Sequence, residues 1–167
     1  AVEKLKGAVE KEPRNATFLI NLGDAYKKAV DGSNAFVNYT GALSANPSFA
    51  FANYRIAKLF ETQKNWDSFL EYLNKAATVD PKFAPAYFEL FYYHLQRKQF
   101  SEAEANLTKY IANTDTDPQN DYWYASLCWL KKDFDCAISK ANTVIANAGG
   151  DIKARVYKLL AYSYFDK

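Results

Sequence analysis

Residue types that commonly carry out chemistry are scarce in this sequence. Its 167 residues include one histidine, His94, and two cysteines, Cys128 and Cys136. These three residues cannot supply the four ligands of a usual structural zinc site, and a single histidine provides no acid–base relay. The sequence contains no glycine-rich phosphate loop and no serine nucleophile turn. We therefore expect no metal, no cofactor and no enzymatic activity.

The two cysteines flank a short predicted turn. Cys128 lies near the end of one predicted helix, and Cys136 lies near the start of the next. Antiparallel helices would place the two at a similar height, where a disulfide is feasible if the Cα atoms lie within roughly 7 Å. A disulfide and a pair of buried free thiols therefore remain as alternatives.

Charge and composition exclude some classes of partner. The net charge of +2 is too small for a nucleic-acid-binding surface, which needs a strong basic bias. No apolar run approaches the roughly 18 residues of a membrane span, so we expect no direct membrane insertion. Aromatic residues make up 17% of the chain, and such rings either fill a core or form a binding surface.

Three prolines reveal an internal repeat. Pro13, Pro47 and Pro81 are each 34 residues apart, and each stands between two helix-like stretches. Proline cannot continue a helix, so it marks the boundary of a unit. With Pro47 at position 32 of a unit, repeats start at Ala16, Ala50, Ala84 and Pro118, and a partial one starts near Ala154.

The positions of large and small residues in these units resemble the tetratricopeptide repeat. In the first unit the first-helix signature is Leu19, Leu22, Gly23 and Tyr26, and the second-helix signature is Ala35, Tyr39, Ala42 and Pro47. The resemblance covers essentially the whole chain. It implies an all-α fold of about ten helices, arranged as antiparallel pairs in a right-handed α-solenoid, the superhelix of that family.

This register divides the chain into consecutive segments. We expect a single array over 1–167, with residues 1–15 as a second helix, complete repeats at 16–49, 50–83, 84–117 and 118–153, and a further first helix at 154–167. The period loosens at Asp115 and at Gly149-Gly150. The unmatched helices at both ends lead us to expect that the natural array continues in both directions, or that self-association covers the ends.

The register also predicts how the two helices of a unit make contact. Positions 8 and 20 face each other where the helices cross, and no pair combines two large residues. His94 falls at position 11, where we expect a buried packing residue. The four pairs are Gly23/Ala35, Ala57/Phe69, Phe91/Ala103 and Ala125/Ala137.

The resemblance implies a partner-binding groove lined by the first helices at positions 2, 5, 9, 12 and 13. Positions 5 and 9 do not match the lysine and asparagine with which some family members hold a peptide carboxylate, so we expect no such clamp. An alternative is that some of the rings pack on the neighbouring repeat instead. The predicted groove residues are Ile20, Asp24, Lys27, Tyr54, Lys58, Phe88, Tyr92, Tyr122, Trp129 and Tyr162.

These features predict a protein-interaction scaffold that binds a peptide or protein segment in an aromatic-lined groove. Two alternatives are a glycan or small-ligand module that stacks on the rings, and a docking arm of a larger enzyme. The abundance of Asn, Tyr and Phe resembles exported repeat proteins of Bacteroidetes-type bacteria, which favours the periplasm or the outer membrane over the cytoplasm.

Overall fold

The computed structural model describes residues 1–147 and 149–167. The described residues form ten α-helices and no β-strand, which confirms the prediction of an all-α fold. The helices are α1 (Val2–Lys11), α2 (Ala16–Lys28), α3 (Gly32–Ala45), α4 (Ala50–Thr62), α5 (Trp66–Val79), α6 (Ala84–Gln96), α7 (Phe100–Ala112), α8 (Pro118–Leu130), α9 (Phe134–Asn147) and α10 (Gly150–Asp166).

The chain divides into two compact units rather than one. Unit 1 comprises Ala1–Ala86, and unit 2 comprises Tyr87–Lys167. Helices α2, α4, α6 and α8 begin at Ala16, Ala50, Ala84 and Pro118, the residues at which the sequence register starts its repeats. The last helix, α10, begins four residues before Ala154, at Gly150.

The turn inside each repeat has the same backbone geometry four times. Val30, Lys64, Lys98 and Lys132 all have a left-handed conformation, with φ between 57° and 63°. The residue after each one donates its backbone N–H to a carbonyl at position 11; Asp31 N to Tyr26 O, for example, is 2.9 Å. Together with a bond from position 15 to position 12, this is the Schellman motif, which satisfies the last carbonyls of a helix.

Side chains at position 16 then cap the N-termini of most of the second helices. The carboxylate of Asp31 accepts from Asn34 N, the amide oxygen of Asn65 accepts from Ser68 N, and Asp133 accepts from Cys136 N. Such caps satisfy backbone donors that the first turn of a helix leaves unpaired. The left-handed residue and the cap together fix a sharp reversal between the two helices.

Before α8, Asp117 caps the helix by accepting from Gln119 N at 2.8 Å, and Pro118 occupies the first turn. At the glycine pair, where the period of the sequence loosens, α9 ends at Asn147 and α10 begins at Gly150, which has φ of +41°. Ala148, between them, lies outside the described residues.

The core of unit 1 depends on a close approach at Gly23. The fully buried Tyr39 ring of α3 lies against this glycine, and a Cβ added to Gly23 would stand 2.5 Å from Tyr39 Cε1. Around this contact pack Leu19, Ile20 and Ile56. Both members of the other three predicted small–large or small–small pairs are also buried.

Unit 2 has two apolar clusters. Phe91, Ala103, Leu107 and Leu127 form the first, in which Phe91 on α6 lies close to the alanine of α7. The second joins α8, α9 and α10. Its members are Ala125, Ala141, Val144, Val156, Leu159 and Leu160.

Only one side of α10 is buried. Val156, Leu159, Leu160 and Ser163 face the core, whereas Tyr157 is 56% exposed and Tyr164 is 62% exposed. The first-helix signature positions of this last, partial repeat hold Tyr157, Leu160, Ala161 and Tyr164, and of these four only Leu160 is buried. The buried residues occupy the side that packs on α8 and α9, and the exposed residues occupy the side that a second helix covers in the other repeats.

The left-handed turns lead to a first prediction. Val30 is 91% exposed, and a β-branched residue at φ of 61° is strained, by about 1–2 kcal/mol. Val30→Gly removes that strain, while the extra freedom of glycine in the unfolded chain offsets part of the gain. We expect the free energy of unfolding in urea to rise by about 0.5–1 kcal/mol.

A matched valine provides the control for this prediction. Val37 is 62% exposed inside α3, where the backbone is helical. Val37→Gly should lower the unfolding free energy by about 0.5 kcal/mol, because glycine is a poor helix former. A loss of stability in Val30→Gly equal to that in Val37→Gly would contradict the strain at the turn.

A second prediction concerns Gly23. In most helices Gly→Ala stabilises, but here the new methyl group would overlap the Tyr39 ring and lie 3.2 Å from Ala35 O. We expect Gly23→Ala to lower the unfolding free energy by roughly 1–3 kcal/mol. Gly41→Ala, whose Cβ would lie 3.6 Å from a Leu19 methyl, should instead raise it by about 0.5–1 kcal/mol. Urea titrations of both variants test the difference, and equal signs would contradict it.

Candidate functional site

The first-helix face of unit 1 is largely polar, and its charged groups bond to one another. The Asp24 carboxylate accepts from Arg55 Nη2 at 2.9 Å and from the Tyr39 hydroxyl at 2.7 Å. Burial, followed by the hydrogen bond to Asp24, raises the pKa of Tyr39 well above its usual range. Tyr39 therefore stays protonated, and it holds the carboxylate of α2 in front of α4.

Lys27 extends this network. Its Nζ donates to the backbone carbonyl of Lys58 at 3.0 Å, and Lys58 forms an ion pair with Glu61. Burial lowers the pKa of Lys27, and the nearby cations Lys58 and Arg55 lower it further. Of the predicted groove residues, Asp24, Lys27 and Lys58 thus lie at the contact between α2 and α4, and each bonds to a neighbouring group of unit 1.

The two remaining predicted residues of unit 1 differ in exposure. Ile20 is 3% exposed and belongs to the core, so its prediction as a groove residue is corrected: position 5 of α2 is turned against α3 and α4. Tyr54 is half-buried, with its ring 5.7 Å from Phe83 and 6.2 Å from Phe51. Tyr54 therefore belongs to an aromatic cluster with two rings of its own repeat.

In unit 2, the rings on α6 again divide between packing and exposure. Phe88 is half-buried, and its ring contacts Phe91, Tyr110 and Trp123 at centroid distances between 5.0 and 5.9 Å. Tyr92, one turn further along the helix, is 43% exposed. Tyr92 is therefore available to a partner, whereas Phe88 mainly supports the core.

The remaining three predicted residues lie on two adjacent first helices, α8 and α10. Tyr122 and Trp129 lie on α8, where both pack at the edge of the core, and Tyr162 on α10 is 46% exposed. The rings of Trp129 and Tyr162 are 6.1 Å apart and inclined by 35°. We name the surface formed by Tyr122, Trp129, Arg155, Lys158 and Tyr162 the α8–α10 face.

Two cations of α10 complete this face. The Arg155 guanidinium lies 5.2 Å from the centre of the Tyr122 ring and donates to Gln119 Oε1 at 3.3 Å. Lys158 Nζ lies 5.8 Å from the centre of the Tyr162 ring. Cations over ring faces keep their outer sides in water. The α8–α10 face therefore offers apolar rings beside two positive charges.

Sequence reasoning did not single out Arg155 and Lys158. They stand at positions 2 and 5 of the last unit, which are first-helix positions facing the predicted groove. The repeat register therefore placed both cations on the groove side. It did not show the aromatic ring beside each cation, because that ring belongs to a different turn or a different helix.

A surface cleft adjoins the α8–α10 face at the turn between α8 and α9. Its volume is about 390 Å³, and it is lined by Trp129, Leu130, Lys132, Phe134 and Asp166. The cleft continues the apolar surface of Trp129 toward Leu130, which is 40% exposed. An extended chain lying on the face would therefore meet apolar side chains over more than one residue.

Cys128 and Cys136 form a disulfide across the same turn. Their Cα atoms are 5.7 Å apart, so of the two alternatives the structure has the disulfide. The bond ties the last turn of α8 to the first turn of α9. It therefore fixes the end of the helix that carries Trp129.

His94 departs from the burial that the repeat register predicted for it. His94 is half-buried rather than buried, because its Nδ1 turns outward to Gln99 Oε1 at 2.9 Å. Among residues 1–147 and 149–167, no group of three His, Cys, Asp or Glu side chains could hold a metal ion. Over the same residues, no helix has both the length and the apolar character needed to cross a bilayer.

Solved structures identify the fold. A tetratricopeptide repeat protein from Parabacteroides merdae superposes with a TM-score of 0.75 over 99% of this chain at 23% identity. YrrB, described as a TPR protein with an unusual peptide-binding site, gives 0.76 over 98% at 18% identity. PilF of Pseudomonas aeruginosa gives 0.76 over 97% at 20% identity. The chain has the tetratricopeptide-repeat fold.

At these coverages and sequence identities, the similarity shows that the fold is shared and nothing further. The chain spans 65% of the Parabacteroides protein, 84% of YrrB and 74% of PilF. No protein-family model matches the sequence, and comparison with curated proteins gives no match.

The disulfide leads to a third prediction. A cross-link that closes a loop of this length stabilises by about 2–3 kcal/mol through the unfolded state. We expect reductant to lower the unfolding free energy by about that amount, and thiol counting in denaturant to give no free thiol before reduction and two after. The double variant Cys128→Ser and Cys136→Ser should not respond to reductant. Two free thiols in the untreated protein would contradict the bond.

Proposed function

We propose that this chain is a protein-interaction module that binds an extended peptide segment on the α8–α10 face. One observation carries the proposal: rings at first-helix positions 5, 9 and 12 lie partly outside the core, next to Arg155 and Lys158. Rigid aromatic side chains lose little entropy when a partner immobilises them, and such residues often dominate binding energies.

The charges of the face define the chemistry of the peptide. Arg155 and Lys158 would attract a carboxylate, while Trp129 and Tyr162 would contact an apolar or aromatic side chain next to it. We therefore propose a segment that places Asp or Glu within two or three residues of a large apolar residue. Tyr92 on α6 of the same unit is a further exposed ring.

The polar face of unit 1 is a poorer candidate for peptide binding than the α8–α10 face of unit 2. Asp24, Lys27 and Lys58 already have bonding partners within their own unit, and a peptide would have to replace those bonds. Replacing a satisfied ion pair gains little free energy. We therefore assign these residues, with Tyr54, a secondary role in binding.

The comparison with YrrB supports peptide binding as a use of this fold, since that protein is described as having a peptide-binding site. A glycan is the competing ligand for exposed rings. Glycan sites combine rings with several side-chain amides and carboxylates, and the α8–α10 face has two cations instead. This difference favours an acidic peptide.

The disulfide also supports a proposal about the compartment. Disulfides persist where the surroundings are oxidising, such as the periplasm or the cell exterior. The Cys128–Cys136 bond therefore favours a protein that acts outside the cytoplasm.

A fourth prediction tests the binding face. Peptides would be selected from a random display library on the immobilised chain, and their dissociation constants measured by fluorescence anisotropy. Tyr162→Ala should raise the dissociation constant about tenfold, because it removes a central ring. Arg155→Ala should weaken peptides that contain Asp or Glu more than versions with Asn or Gln.

The matched control is Tyr157→Ala on the same helix. Tyr157 is 56% exposed but lies on the opposite side of α10, so its loss should change the constant by less than about twofold. Peptides with free and amidated C-termini should bind equally well, because recognition uses an internal acidic residue. Equal binding by wild type and Tyr162→Ala, or a library that yields no binding peptide while a glycan array yields a ligand, would overturn the proposal.

A further inference from the structure

A cleft of unit 1 lies at the turn between α2 and α3, and none of its residues belongs to the α8–α10 face. Its volume is about 350 Å³. Its most buried lining residue is Leu59 of α4, which is 3% exposed. We name it the unit 1 cleft. The lining residues are Lys27, Val30, Gly32, Leu59, Thr62 and Gln63.

Position 17 of the repeat holds a glycine in this cleft and a large ring elsewhere. Gly32 is the first residue of α3, and the later repeats have Trp66, Phe100 and Phe134 at the same position. The fold does not require glycine here, because the backbone is helical and the nearest atom to an added Cβ would be Gln63 Nε2, at 3.6 Å. That distance is an ordinary packing contact, so a side chain has room at this position.

The ring of Phe100 shows what the missing side chain would cover. Phe100 packs against the cluster that contains Leu127, at position 10 of the following repeat. In unit 1 the residue at that position is Leu59, and one of its methyl groups would lie 3.7 Å from a Cβ on Gly32. The unit 1 cleft therefore opens beside Leu59, where the third repeat has a phenyl ring.

The first repeat also differs from the others at position 15. Val30 lines the cleft with a side chain that is 91% exposed at φ of 61°, whereas the other three turns have Lys64, Lys98 and Lys132. A strained β-branched residue and a missing ring both cost stability, and both line one cleft. Local strain concentrates at ligand-binding and other functional sites. The two departures therefore point to binding at this cleft.

We propose that the unit 1 cleft binds an aromatic side chain of an extended peptide, whose ring takes the place that Phe100 has in the third repeat. Val30 and Leu59 supply apolar contacts to the ring. The exposed side-chain amide of Gln63 offers a donor and an acceptor to the peptide backbone. A buried ring of this kind often dominates the affinity of a segment.

The charges beside the cleft favour an acidic peptide. Lys27 lines the cleft, and the exposed Lys28 and Lys64 each adjoin a lining residue in the chain. Asp31, the acidic residue between Val30 and Gly32, already accepts from Asn34 N at 3.0 Å and from Asn34 Nδ2 at 2.7 Å. The three lysines would attract carboxylates. The proposed ligand is thus an aromatic residue flanked by Asp or Glu.

The fifth prediction uses a variant that fills the cleft with a side chain of this chain. Gly32→Phe places at position 17 the ring that the third and fourth repeats have there. Peptides would be selected from a random display library on the immobilised 167-residue chain, after removal of those that bind Gly32→Phe. Peptides for the α8–α10 face bind both forms and are removed, so the result is independent of that proposal. The remaining peptides should contain an aromatic residue next to Asp or Glu.

Fluorescence anisotropy then gives the dissociation constants of the selected peptides. Gly32→Phe, and replacement of the aromatic residue of the peptide by alanine, should each raise the constant at least about tenfold. Val30→Gly, which is expected to stabilise the fold, should still raise it about threefold, because an apolar contact is lost. Weaker binding by a more stable variant cannot result from general destabilisation.

Gly41→Ala on the same helix is the matched control, and it should change the constant by less than about twofold. Circular dichroism should show the helix content of the wild type in every variant, and the melting temperature of Gly32→Phe should not fall. A fall would show that no ring fits the cleft and would overturn the inference. So would a library without peptides that prefer the wild type, selected peptides that lack an aromatic residue, or equal affinities for wild type and Val30→Gly.

Discussion

Each repeat depends on the close approach of its two helices at a point where one side chain is small. In the first repeat that point is Gly23, which lies against the Tyr39 ring. In the second and third, a phenylalanine replaces one small residue, and the alanine opposite keeps the helices close. Packing in a protein interior tolerates little change in volume, so a large residue on one helix requires a small one on the other.

The turn between the two helices of a repeat also helps to bring them into this close contact. A left-handed residue at position 15 and a cap at position 16 reverse the chain within three residues, which brings the second helix back at the correct height. Val30 and three lysines accept the unfavourable backbone conformation because the hydrogen bonds of the motif hold it in place. The strained turns are thus held in place by the helix packing that they make possible.

The same dependence explains why α10 has one buried side and two different exposed sides. The side toward α8 and α9 is buried, the side with Tyr162 lies beside Trp129, and Tyr157 is exposed on a third side. The buried side stabilises the fold, and the side with Tyr162 is proposed to bind a peptide. Position in the repeat separates these sides, because residue type does not: Tyr157 and Tyr162 are both exposed tyrosines.

The 34-residue spacing of Pro13, Pro47 and Pro81 predicted where four of the first helices start, and the resemblance of the units to the tetratricopeptide repeat predicted the fold and the paired positions. These features depend on local sequence and on a contact repeated at fixed positions. The sequence could not determine which groove residues are accessible. Ile20, Phe88 and Tyr162 stand at positions of one predicted groove, yet Ile20 is buried, Phe88 packs on three rings and Tyr162 is exposed. It also left the bond between Cys128 and Cys136 open. Burial, ring contacts and the distance between two thiols depend on how neighbouring helices pack in space, so only the tertiary structure decided them.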